Sequence, residues 1–210
     1  MCSFAIVSTM NASAKGRYST TYKYYSVSGS SAASIHRNTH VPTGFFSSER
    51  SYAKIIMKPK IVAQMKKRGK YCRFNRLNIG AHFTIRLPKL SRGAGGNKNL
   101  RRKFSSFVAF AKRHEQTHRS IWVKCLSRSE RKIRALRKTS CRSLDIAGAK
   151  IIERELAICA RNNNRFDKAE ARRVVRQPLV RAAIKQVKTS RRRTVSKRRT
   201  TRSRTRTNFN

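Results

Sequence analysis

The residues most open to a chemical reading are His114-Glu115-Gln116-Thr117-His118. Two histidines four apart share one face of a helix. There they can hold a zinc ion, with the intervening Glu as general base. A working site also needs a third protein ligand, a position for water and a cleft. The chain after His118 continues Arg-Ser-Ile-Trp-Val-Lys and lacks the Gly and His of the longer motif. Glu130 and Glu153 are the remote carboxylates that can be tried as a third ligand. Lys112, Arg113, Arg119 and Lys124 surround the pair with positive charge, which opposes a dication. The sequence therefore predicts no metal, no cofactor and no enzyme. It reads the histidines as contacts from a basic helix face to RNA phosphates. No phosphate-binding GxxxxGK[ST] and no GxSxG occurs, and Gly93-Ala94-Gly95-Gly96 has the wrong spacing for a dinucleotide loop.

Charge is the dominant property of the chain. Its 210 residues hold 52 Lys or Arg against eight Asp or Glu, a net charge of +44. Self-repulsion of this size opposes a compact state unless a polyanion neutralises it, and nucleic acid is the partner large enough to do so. The apolar runs are too short to span a membrane, and no site for a small-molecule substrate is evident. Five cysteines (Cys2, Cys72, Cys125, Cys141, Cys159) at wide spacings form neither a disulfide framework nor a zinc ribbon, so buried reduced thiols are expected.

The elements that would position these residues follow from acid distribution and periodicity. Seven of the eight acids fall between residues 115 and 170. Residues 1–48 are rich in Ser and Thr, with Lys15, Arg17, Lys23 and Arg37 as the only Lys or Arg and no acid. This is the composition of an organelle transit peptide, and Arg50-Ser51-Tyr52-Ala53 resembles a mitochondrial processing site. Residues 54–70 are basic and apolar together, interrupted by Pro59. Residues 83–87 alternate briefly before Pro88, too short a signal to assert a sheet. Residues 91–99 form a basic Gly-rich loop. Helical spacing then places Leu100, Phe104, Phe107, Val108 and Ala111 on one face, and Trp122, Leu126, Ile133 and Leu136 on a second helix. Asp145 can cap a third helix, which Asn162-Asn163-Asn164 breaks. Asp167-Lys168-Ala169-Glu170 reads as a capping box for a fourth. Pro178 ends that helix or opens the next. Residues 191–207 read as a solvated, extended Arg/Thr tail.

Arg119-Ser120-Ile121-Trp122-Val123 and Leu126 resemble the first helix of the C-terminal domain in the family of large-subunit ribosomal protein number twenty (L-twenty). In the same register, Leu144, Ala147-Gly148, Arg154, Leu156, Ala157, Ala160 and Phe166 fall on that family's later helices. Arg92-Gly93-Ala94-Gly95-Gly96-Asn97-Lys98 is similar to its basic Gly turn. The resemblance implies an all-α fold: a small C-terminal helical bundle, a long basic helical or extended N-terminal arm, and a basic C-terminal tail. It implies a structural constituent of the mitochondrial ribosome large subunit that binds large-subunit rRNA and neighbouring large-subunit proteins and supports assembly. An organelle nucleoid protein that packages DNA is the alternative, and mitochondrion is preferred to plastid.

The expected organisation is a targeting segment over 1–52, an rRNA-threading arm over 53–99, a helical domain over 100–177 and a basic extension over 178–210. Arg92, Gly93, Gly96, Lys98, Arg101, Arg102, Lys103, Lys112, Arg113 and Arg119 are the expected rRNA contacts. Trp122, Leu126, Leu144, Gly148, Leu156 and Phe166 are the expected core.

Overall fold

The computed structural model describes residues 17–39 and 51–206, with side chains through residue 192. Residues 1–16 and 40–50 of the predicted targeting segment, including Cys2 and Arg50, lie outside the described residues. The fold is α/β and not all-α. A three-stranded mixed sheet underlies four helices. Strand β1 (Tyr18–Val27) and helix α1 (Ala32–Asn38) come from the segment read as a targeting signal. Strands β2 (Lys54–Arg68) and β3 (Tyr71–Leu90) replace the predicted arm. Helices α2 (Lys98–Arg134), α3 (Cys141–Val175) and α4 (Pro178–Arg206) complete the chain.

Strand β3 is central, parallel to β1 and antiparallel to β2. Its side chains explain why it forms. Leu77, Ile79, Ala81, Phe83, Ile85 and Leu87 alternate on one face and are all buried. The alternation predicted over 83–87 is the end of this longer run. Pro88 does not end the strand, since β3 continues to Leu90 and pairs there with β1. Pro59 lies on the edge strand β2, where a missing N–H is tolerated. A two-residue turn joins β2 to β3, with Gly69 at φ 57°, the left-handed geometry a tight hairpin requires.

Helix α2 is one continuous element of 37 residues, capped by Asn97, whose side chain accepts from the Leu100 N–H. The two helices expected over 100–136 are thus one. Its apolar stripe packs on the alternating face of the sheet: Leu126 and Ile133 meet Leu77, Ile79 and Phe83. Nearer its start, Phe104 and Phe107 join Val27, Ile35, Leu179 and Val180. Helix α3 starts at the Ser140 cap and runs unbroken through Asn162–Asn164. Asp145 and Asp167 are therefore interior residues, not caps. Pro178 is the first residue of α4, and the backbone there is helical to Arg206 rather than extended.

Two disulfides, Cys72–Cys141 and Cys125–Cys159, replace the expected reduced thiols. Each joins residues far apart in sequence, which the fold brings together. Phe83 is fully buried at the centre of the sheet–helix interface. Phe83→Ala is expected to cost about 3–5 kcal/mol, read from the urea midpoint of unfolding.

Candidate metal centre

The HExxH segment lies in the middle of α2, two turns before Cys125. Its third partner comes from α3. Asp167 Oδ1 stands 3.0 Å from His114 Nε2 and 2.9 Å from His118 Nε2, and the two Nε2 atoms are 3.0 Å apart. Ligand atoms at tetrahedral angles on a zinc with bonds of about 2.0–2.1 Å would be separated by about 3.3 Å. The triangle matches that size. The histidines are largely buried while Asp167 is half exposed, so the cluster opens to solvent on the α3 side.

Hydrogen bonding fixes which nitrogen faces the cluster. Asn163 Nδ2 donates to the Cys159 carbonyl, which turns its Oδ1 toward His118. That oxygen lies 2.7 Å from His118 Nδ1, so Nδ1–H is the donor and neutral His118 presents a lone pair at Nε2. Phe166 stacks on His114 at 4.8 Å between centroids and meets His118 edge-on at 5.1 Å, holding both rings in place. Burial, and next to it the neighbouring His118, pushes the His114 imidazole below its ordinary value, although Asp167 and Glu170 work the other way. Two imidazole nitrogens converging with a carboxylate oxygen form a donor set that fits a divalent cation.

Glu115 is buried beside the pair. Burial raises its carboxyl to about 7, against His118 and the Ile55 backbone N–H, which hold it down. A carboxyl titrating near neutrality is matched to proton transfer at physiological pH.

Of the four cations expected to repel a dication, two are turned toward the sheet. Lys112 lies over the Tyr22 ring at 4.9 Å, and Arg119 donates from Nε to Thr20 Oγ1 at 2.8 Å. Arg113 instead lines an open cavity of about 440 Å³ that adjoins His114. Phe110 and Phe166 form its apolar wall, and Arg173 and Arg176 lie on its α3 side. Arg173 is paired with Glu170 at 2.8 Å. The carboxylates first tried as third ligand are placed elsewhere. Glu130 binds Arg17, Arg134 and the Ile79 N–H. Glu153 is an exposed residue of α3.

The other expected rRNA contacts lie away from this site. Arg92, Gly93, Gly96 and Lys98 form the turn into α2, and Arg101, Arg102 and Lys103 its first turns. That turn packs on its own chain: Gly95 N–H donates to the Gly29 carbonyl, and a Cβ on Gly96 would stand 2.7 Å from the Ser30 carbonyl oxygen. Of the expected core, Leu126 and Leu144 are fully buried, and Trp122 and Leu156 are half-buried at the sheet–helix cluster. Gly148 lies against the Phe74 ring, and Phe166 packs against the His114 and His118 rings. Asp167 was missed because its role depends on a helix contact across 49 residues, and its i to i+3 spacing to Glu170 mimics a cap.

The site and fold define an α/β protein with a helix-borne His-Glu-x-x-His and a remote Asp. Residues 22–173 match the family described as "Bacterial protein of unknown function (DUF922)", and the chain belongs to that family. No curated protein and no solved structure matches it. The match runs from Tyr22 in β1 through nearly all of α3 and overturns the ribosomal-protein resemblance, which took in about residues 91–176. The mitochondrial assignment and the transit peptide fall with it, because the family is bacterial.

One zinc per chain is expected, measured by competition with a chromophoric chelator. Asp167→Ala should weaken zinc binding by more than 100-fold, and Asn163→Ala by about 10–100-fold. Wild-type affinity in Asp167→Ala would remove Asp167 from the ligand set.

Proposed function

We propose that this protein is a metal-dependent hydrolase acting on peptides. The observation that carries the reading is the convergence of His114 Nε2, His118 Nε2 and Asp167 Oδ1 within about 3 Å of one another. His114 and His118 flank Glu115 with the helical spacing that zinc peptidases use. The expectation of no enzyme rested on a missing third ligand, water position and cleft and on the surrounding cations, and Asp167 is our candidate for that third ligand. Three protein ligands leave a coordination position for water. A bound zinc would supply a water that ionises near neutral pH. In this reading Glu115, whose buried carboxyl accepts from the Ile55 backbone N–H, would turn to take that water's proton and return it to the leaving amine.

The cavity beside His114 favours the substrate's charge. Arg113, Arg173 and Arg176 outnumber its one carboxylate, Glu170. A peptide with an acidic side chain, or its free C-terminal carboxylate, beside the scissile bond fits there. The bidentate geometry of Arg suits a carboxylate. Binding of nucleic acid, the reading drawn from a net charge of +44, is compatible with this chemistry, because most of the cations lie outside the cluster.

Glu115→Gln should keep stoichiometric zinc while hydrolysis of a peptide mixture falls by about 10²–10⁴-fold. Cleavage at the wild-type rate by this variant would refute the hydrolase reading. Arg113→Gln with Arg176→Gln should raise KM for acidic peptides more than for their amide counterparts. Capping the C-terminus as an amide distinguishes a terminal carboxylate from a side-chain one.

A further inference from the structure

Helix α2 covers one face of the sheet; the other packs on α1 and α4 only at its end, through Tyr25, Val27 and Leu90, and no described helix covers it from Ser19 to Lys23. Tyr18, Thr20 and Tyr22 on β1 reach Ser127, Arg119 and Gln116 of α2, which fixes the inner parity. The opposite parity places Lys23, Arg86 and Lys54 side by side across all three strands. Two residues along, Thr21, Thr84 and Ile56 form the next row, and then Ser19, His82 and Lys58. Ser19 Oγ and His82 Nδ1 are 2.8 Å apart, consistent with one shared face. The β2–β3 ribbon extends the same face through Lys60, Arg76, and the pair Lys66 and Arg73.

Like charges directly opposite one another destabilise a sheet. Here three cations occupy one row, and no Asp or Glu occurs in residues 51–114 to relieve them. Among the described residues, none of the three pairs with a carboxylate. We propose that this open sheet face binds nucleic acid through its phosphates, independently of sequence. The Lys23–Arg86–Lys54 row and Lys58 lie four residues apart along the strands, about 13 Å, with a Thr row between, so a chain of repeated phosphates can bridge them. Interspersed Ser, Thr, His and Asn side chains can donate to phosphate oxygens. The inner parity takes the aromatic rings Tyr18, Tyr22 and Phe83, so these rows offer no stacking platform for bases. The three rows also lack the Trp, Phe and Leu anchors by which a surface enters a lipid bilayer. This deepens the nucleic-acid reading and is independent of the metal centre.

The test uses the full chain, duplex DNA of mixed sequence, and a salt series. Changing Lys23, Lys54 and Arg86 together to Gln should lower the slope of log K against log salt by about 2–3, at about 0.9 per lost phosphate contact. Arg142, Lys150 and Arg161 on α3, changed to Gln, remove the same charge elsewhere and should leave the slope near wild type. The urea midpoint of unfolding reports folding in both variants. Equal losses in the two variants would mean diffuse attraction and would overturn the site. So would wild-type binding by the sheet variant. Vesicles of phosphatidylglycerol should bind more weakly than DNA, and a sheet-dependent preference for vesicles would overturn the choice of partner.

Discussion

Scarcity of carboxylate is the constraint on which this structure depends. Eight acids must serve 52 basic residues, and four of them, Glu115, Glu130, Glu155 and Glu170, are buried on α2 and α3. Each buried carboxylate must be compensated or neutralised. Glu130 gathers Arg17 from the start of β1, Arg134 from α2 and the Ile79 N–H from β3, joining three elements at one group. Burial works to raise the Glu155 carboxyl. Lys132 and Arg128, each bonded at 2.6 Å, hold it below its ordinary value and tie α3 to α2. The Cys125–Cys159 disulfide crosses the same helix pair about two turns from His118 on one side and from Asp167 on the other. The contact that brings Asp167 to the histidines is thus held by an ion network and a covalent link.

The same scarcity sets the character of the rest of the surface. Acids are concentrated on α2 and α3, α4 carries none, and among the described residues no cation of the three strands pairs with a carboxylate. A basic chain can fold here because its core is divided among small clusters that need little acid: the alternating face of β3 under α2, and the junction of α1, α2 and α4. Repulsion is left to the edges. That is also where an anionic partner would do most to stabilise the protein, by binding the folded state alone.

How much of this was legible in the sequence depended on range. Local signals carried α2 and α3 by their apolar spacing, Pro178 at the start of α4, and the HExxH pair on one helix face. The sheet was concealed by two features. The bulge between Gln64 and Met65, opposite Asn75, shifts the inward pattern of β3 between Phe74 and Leu77 and hides its continuity with 77–87. Edge strand β2 carries lysines on its open face, which makes it read as a solvated arm. Asn162–Asn164 looked like a helix break because Asn is a weak helix former. In the fold, Asn163 bonds His118 and its own helix, so tertiary contact overrides propensity. The cysteine pairs and Asp167 depend on contacts across 34 to 69 residues, which periodicity does not report.

The positive surroundings of the cluster, which first argued against a dication, acquire a different meaning once the side chains are placed. Glu115, Asp167 and Glu170 give the immediate neighbourhood up to three negative charges, held close to the histidines by α2 and α3. Arg113 and Arg176 line the adjoining cavity together with Phe166, His114 and Glu170, the last paired with Arg173. Charge at the cluster favours a cation, and charge in the cavity favours an anion. Under the proposed hydrolase reading, opposite fields a few ångströms apart would sort a substrate by orientation, with a peptide carboxylate drawn to the arginines and the neighbouring carbonyl beside the histidines. A uniformly basic patch would not orient a substrate in this way, since it would attract an anion without selecting which end meets Glu115.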